Sequence, residues 1–415
     1  MNAMTTSRQR QRPRLQPLIA IALALSSLPA ISEDFEAPAR VDTADILPPA
    51  FLRSAHYRIA PAVRARDNFY HFEISSDYGN YAVTSLAMLR IRLHEIATVA
   101  ELAPRLEGDT AYDAKGRHGV GSEHVVDLLT DPVRTAAQLL GNIQHNVEQT
   151  FTPDESADGG PDAAIDTAVD LNPGPHKRSA AAQLGVDVYS SNPALQGALN
   201  AVADLRSAGE TASSISPLVR NVYHTASFGS GALETRLESR LKNVASDELN
   251  AELLTSLTEL GVSDSVRIAF LTQRAYTPRT RLYFTSYTGL LAPLRGLDTL
   301  FAAAAAAQTE ADAVAYVGYA RMLAHYQMHT GDLAEVITAS RFPMLATTHG
   351  RGVLALPLDY LAWTASVAEA VDALDGSRED NDLKSFVLLL AGTPTERAAS
   401  ELAHRAVELR ARYSY

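Results

Sequence analysis

Between Thr309 and Gly331 the chain reads TEADAVAYVGYARMLAHYQMHTG, its longest helix-like segment, and this segment is apolar or aromatic nearly all the way round. On a 3.6-residue wheel Val314, Val317, Ala320 and Met328 occupy one flank, and Tyr316, Tyr319, Leu323 and Tyr326 the other. A helix without a polar face must be covered on every side, so the rest of the fold has to be built around it. One narrow stripe breaks the apolar coat. Gly318, Arg321, His325 and His329 stand three and four residues apart and stack along a single line. Polar groups set in apolar surroundings need partners or a wet cavity, which makes the stripe the candidate ligand-binding site.

The covering elements read mostly as helices. Leu86, Leu89, Leu93, Ile96 and Ala100 form one apolar face, with Arg90, Arg92, Glu95 and Glu101 placed elsewhere. Asn192-Pro193 opens a helix carrying Leu195, Leu199, Val202 and Leu205 inward, and further helices are read over 232–244, 247–260, from Ser263, and over 297–307. Near the end, a helix is expected from the DYLAWT segment to Val371, another over Leu383–Leu390, and a last one after Thr395. Strand signals are few. Tyr70, Phe72 and Ile74 alternate with polar or small neighbours, Ser76 to Asn80 supply turn chemistry, and Tyr81 and Val83 resume the alternation, which predicts a β-hairpin. Val353–Leu356 reads as a buried strand or an extended segment. The expected class is therefore mainly α, a multi-helix bundle-like domain with a small N-terminal hairpin.

The ends and the joints set the domain plan. Arg8, Arg10, Arg12 and Arg14, an apolar run over Leu18–Leu28, and the small residues Ala30 and Ser32 have the order of an export signal over residues 1–32. An N-terminal module over 33–151 begins with an extended arm over 33–67 and includes a loop from Gly108 to Ser122 and a helix from Pro132. Residues 152–175, rich in acids, Gly and Pro, read as a flexible linker, and 176–415 as a helical C-terminal domain. The predicted location is the periplasm or the exterior, and no membrane span is expected once the signal is removed.

Composition narrows function more than it defines it. The net charge of −12 becomes −16 when the four signal arginines are lost, and an acidic chain repels nucleic-acid phosphates. The chain has no cysteine, so disulfides and thiol nucleophiles are excluded. His325 and His329 are one turn apart, a spacing that lets two imidazoles reach one zinc ion, with His349, Asp332 or Glu335 as third ligand. Tyr326 stands where a zinc protease needs glutamate, so that motif is absent. Arg321 with the two histidines also suits a carboxylate or phosphate, with Gly318 admitting close approach to the backbone. The preferred expectation is a binding or interaction protein for a small molecule or an envelope partner, and the alternative is a metal-assisted hydrolase. Catalytic residues are not assignable from the sequence.

Overall fold

A computed structural model of the chain describes residues 35–37, 40–113, 170–207, 231–338 and 340–413. The expected export signal, the helix expected from Pro132 and all but the last residues of the expected acidic linker lie outside them.

The first surprise is the entry arm. β1 (Arg40–Asp42), two single-turn helices, α1 (Thr43–Ile46) and α2 (Pro49–Leu52), then β2 (Tyr57–Ile59) and β3 (Ala62–Arg66) lead into the expected hairpin of β4 (Phe69–Ser76) and β5 (Gly79–Thr84). All five strands form one antiparallel sheet, in which β5 flanks one side of β4 while β3 and β2 share the other. The arm is thus no surface extension: Ile59 and Val63 are core residues. Its alternation, Tyr57 and Ile59 then Val63 and Ala65, is short and interrupted by Pro61, which hid it. Asp67 and Asn68 both take positive φ, 54° and 63°, the backbone that a two-residue turn between right-twisted strands requires.

α3 (Leu86–Asp113) follows directly and lays Leu89, Leu93, Ile96 and Val99 against the sheet and its neighbours. It continues through Gly108 to Asp113, so the first six residues of the expected loop are helical, and the rest of that segment lies outside the described residues. α4 (Pro175–Leu184), α5 (Pro193–Ser207), α6 (Ala232–Asn243), α7 (Ser246–Glu259), α8 (Asp264–Thr272), α9 (Pro278–Gly289) and α10 (Leu297–Ala305) make the helical layer. Within it lies α11 (Glu310–Thr330), the predicted central helix. It opens on a capping box between Thr309 and Asp312 and stops at Gly331 in the left-handed conformation. Val317, Tyr319, Ala320, Leu323 and Tyr326 are all buried, as a helix apolar on every side demands.

Beyond α11 the mainly-α expectation fails. The remaining elements are β6 (Leu333–Val336), β7 (Leu345–Thr347), β8 (Arg351–Leu356), β9 (Tyr360–Leu361), α12 (Ala365–Asp380), β10 (Ser385–Leu390), β11 (Thr393–Pro394), α13 (Glu396–His404) and β12 (Val407–Arg410); five of the strands form a second sheet in the order β12-β10-β8-β7-β6, and the two-residue β9 and β11 pair with each other. β8, β10 and β12 are parallel, joined through α12 and α13 as two successive βαβ units. The segment expected to be a helix over Leu383–Leu390 is therefore β10, the middle one of the three parallel strands. Its residues SFVLLL form a continuous apolar run because a parallel strand is covered on both faces, and such a run carries no periodicity to separate strand from helix. Likewise DYLAWT is an extended crossing, and the following helix starts only after its N-cap, Thr364. The fold is a mixed α and β architecture: an antiparallel sheet, a helical layer and a βαβαβ sheet sharing one core.

The antiparallel sheet touches the segment that follows β8. The turn Asp67-Asn68 receives the backbone N–H of Asp359, 3.1 Å from the Asn68 carbonyl, and Tyr70 stacks on Tyr360 with ring centroids 5.1 Å apart. The Asp359 carboxylate in turn accepts from the N–H of Tyr70 at 3.0 Å and of Leu86 at 3.1 Å. It therefore closes the start of α3 from a strand end 273 residues away in sequence.

Candidate functional site

Parallel strands bring their carboxyl ends to one edge of a sheet, and crevices there are where α/β folds place ligands. In this chain the ends of β8, β10 and β12 contribute Pro357, Leu358 and Asp359, then Ala391 and Gly392, then Arg412 and Tyr413. The start of α3 supplies Ser85, Leu86 and Arg90 from the opposite side, and α11 supplies Gly318 and Arg321. Together they enclose a cavity of about 360 Å³. Three arginines from three separate segments, the half-buried Arg321 and the exposed Arg90 and Arg412, are among its lining residues, together with one aspartate.

The wall is tightly specified. A Cβ on Gly392 would stand 1.8 Å from the Asp359 carbonyl oxygen, so only glycine allows the two strand ends to close together. Ser85 holds φ at 89° while its hydroxyl accepts the Met88 N–H at 3.2 Å, a left-handed backbone that costs a non-glycine residue on the order of 1 kcal/mol or more. Strain of that kind persists where surrounding contacts fix it, and here it sits in the cavity wall. Burial pushes the Asp359 carboxyl up to about 7, against the lowering effect of the Tyr70 and Leu86 donors and of Arg90.

The predicted stripe divides along its length. Gly318 and Arg321 face the cavity. His325, one turn further, reaches its rim through Tyr413, whose hydroxyl lies 2.9 Å from the imidazole Nδ1. His329 is exposed, donates from Nδ1 to the His325 carbonyl at 2.7 Å and lies beside His325 with ring centroids 4.1 Å apart. Burial, His329 and Arg321 all lower the His325 pKa. Arg321 also acts on Tyr287 of α9, whose hydroxyl donates to the Glu234 carboxylate at 2.6 Å.

The zinc expectation finds less to stand on. His349 is exposed in the turn between β7 and β8, and Glu335 pairs with Arg295 at 2.7 Å. Among the described residues no group of three or more histidine, aspartate or glutamate side chains gathers as a metal site.

Sequence reasoning missed Arg90, Asp359, Arg412 and Tyr413, which the chain brings together from its two ends. It also missed a buried polar cluster. Arg92 and Glu95, expected on the polar side of α3, are buried and bonded at 2.6 Å, with Ser190 and Asn192 donating to Glu95 at 2.5 and 3.2 Å. Arg92 also donates to Ser191 at 3.1 Å, and Ser191 to Glu310 at 2.6 Å. These bonds tie α3 to the α4–α5 connection and to the start of α11. Two larger clefts lie beside α10 and between α7 and α9, each with an ion pair in its wall, Asp312 with Arg341 in the first and Glu252 with Arg240 in the second.

No family model, curated protein or solved structure matches this chain. Among the described residues no helix is long and apolar enough to cross a membrane.

Proposed function

We propose that the protein is an exported binding protein for a small anionic molecule carrying carboxylate or phosphate groups. The observation that carries this reading is the convergence of Arg90, Arg321 and Arg412 on one cavity at the carboxyl ends of parallel strands. Guanidinium is the side chain best suited to planar, two-point recognition of carboxylate and phosphate. An overall acidic chain that concentrates three arginines in one concave site selects a small anion and repels extended polyanions. Export rests on the signal-like order of residues 1–32, and the absence of cysteine suits an oxidising compartment without requiring it.

The test is a calorimetric titration of purified residues 33–415 with sulfate, phosphate, small dicarboxylates and sugar phosphates, beside an Arg321→Gln, Arg412→Gln variant. At least one of these anions binds saturably to the parent, and the variant loses ten-fold or more in affinity. Equal affinity in parent and variant, with both folded, would remove the cavity from consideration.

A further inference from the structure

His325 and Tyr413 make a pair whose chemistry the arginines alone do not explain. Tyr413 lines the cavity, its hydroxyl is 2.9 Å from His325 Nδ1, and the two rings meet edge to face with centroids 5.4 Å apart. A phenol has a single proton. When the imidazole is neutral and accepts at Nδ1, that proton is committed to His325, and the phenol oxygen presents only lone pairs to the cavity. When the imidazole is charged, Nδ1–H becomes the donor to the phenol oxygen, and the phenol proton is released for a ligand. Starting from the tautomer that carries its proton on Nε2, one added proton thus turns the tyrosine from an acceptor into a donor on the cavity side.

Resting on the reading of the cavity as an anion site, we propose that the His325–Tyr413 pair makes anion capture proton-coupled: the bound anion takes its hydrogen bond from Tyr413 while His325 gains a proton. No bond is made or broken apart from that proton, which comes from solvent.

The groups facing His325 agree with this. On its own helix these are Arg321 and His329, both of which repel a proton from it, and from the segment after β12 it is Tyr413. Burial, His329 and Arg321 all lower the His325 pKa and so favour the neutral imidazole. An anion placed beside Arg321 offsets that repulsion, and His325 becomes easier to protonate. Tyr413 itself stays protonated, since burial raises its pKa, with Arg410 opposing and Tyr326 adding to the rise. The exposed His329 ring beside His325 offers the proton a route from solvent. By linkage, a ligand that raises the pKa of a group binds more tightly as the pH falls through that range.

The experiment is calorimetry with sodium sulfate, a dianion at both pH values, at constant ionic strength at about pH 5.5 and about pH 8, the range in which histidine titrates. The parent, Tyr413→Phe, His325→Gln and His329→Gln are compared, and the His325 imidazole of the parent is followed by NMR with and without sulfate. The parent is expected to bind about ten-fold more tightly at the lower pH, as a one-unit rise in the His325 pKa requires. Tyr413→Phe and His325→Gln should then show the same affinity at both, while His329→Gln keeps most of the difference. Sulfate binding of equal strength at both pH values would overturn the proton coupling and leave the anion site standing. A pH dependence that survives in Tyr413→Phe or His325→Gln would overturn it as well. Absence of sulfate binding at both pH values, with the His325 resonance unmoved, would overturn the coupling, and the same result with phosphate and the dicarboxylates would remove the anion site as well.

Discussion

Asp359→Asn isolates the energetic cost built into the cavity wall. The parent carboxyl is held at about 7 by burial rather than at its ordinary 3.8, so its charged form is disfavoured in the folded protein by ~4 kcal/mol once fully ionised. The sign follows from proton counts. Between about pH 4 and 7 the folded chain holds a proton here that the unfolded chain has released, so this residue makes stability fall as pH rises through that window. Asparagine has the same shape and keeps an acceptor for the Tyr70 or Leu86 N–H, but it carries no charge. The difference in unfolding free energy between the Asp359→Asn variant and the parent should therefore drift in favour of the variant by up to ~4 kcal/mol from about pH 4 to 8. Other titrating groups cancel in the difference, including Asp187, whose carboxyl burial raises to about 6. Urea unfolding followed by circular dichroism, in buffers free of sulfate and phosphate, measures it. A difference that stays flat, or that drifts in favour of the parent, would mean that the Tyr70 and Leu86 donors and the nearby arginines outweigh burial, and the reasoning about this wall would be wrong.

Gly392→Ala places a methyl group in the space held by the Asp359 carbonyl, and should cost about 3 kcal/mol or more through forced separation of the β8 and β10 ends; a melting temperature equal to the parent's would refute the close approach. Glu95→Ala leaves the Arg92 guanidinium buried without its main counter-charge, at a cost of about 3–5 kcal/mol, whereas Glu95→Gln should lose distinctly less, and chemical denaturation of both separates the two. Glu36 accepts from the Trp363 N–H at 2.5 Å and from the Thr395 hydroxyl at 2.7 Å, clamping the segments that follow the cavity's two strand ends. Glu36→Ala should lower stability by about 1–2 kcal/mol and raise hydrogen exchange at Trp363 and Thr395, and unchanged exchange there would rule out the clamp.

How far the sequence disclosed this molecule depends on the range of the signal. α11 and the β4–β5 hairpin were legible because each carries its own periodicity and its own stop, Gly331 for the helix and the Ser76-to-Gly79 turn for the hairpin. β10 was not, because SFVLLL is apolar at nearly every position. A contextual signal was available: Val353–Leu356 and Phe386–Leu390 are short apolar runs, followed about eight and about five residues on by a threonine N-cap, Thr364 and Thr395, and a helix. Strand, helix and strand in that order announce a parallel βαβ sheet. The stripe on α11 pointed to the right region through Gly318 and Arg321, yet only tertiary structure brings Arg90, Asp359, Arg412 and Tyr413 to it. Arg92 and Glu95 failed for a different reason: a charged pair on a helix reads as solvated unless its partners, here Ser190, Ser191 and Asn192, are known in advance.

Selenate, a sulfate analogue with a strong anomalous signal, tests the central claim most directly when soaked into crystals of residues 33–415. An anomalous peak inside the cavity within hydrogen-bonding reach of Arg321 and Arg412 is the result predicted here. Peaks confined to other surfaces, with this cavity empty at a concentration that saturates selenate binding in solution, would contradict it.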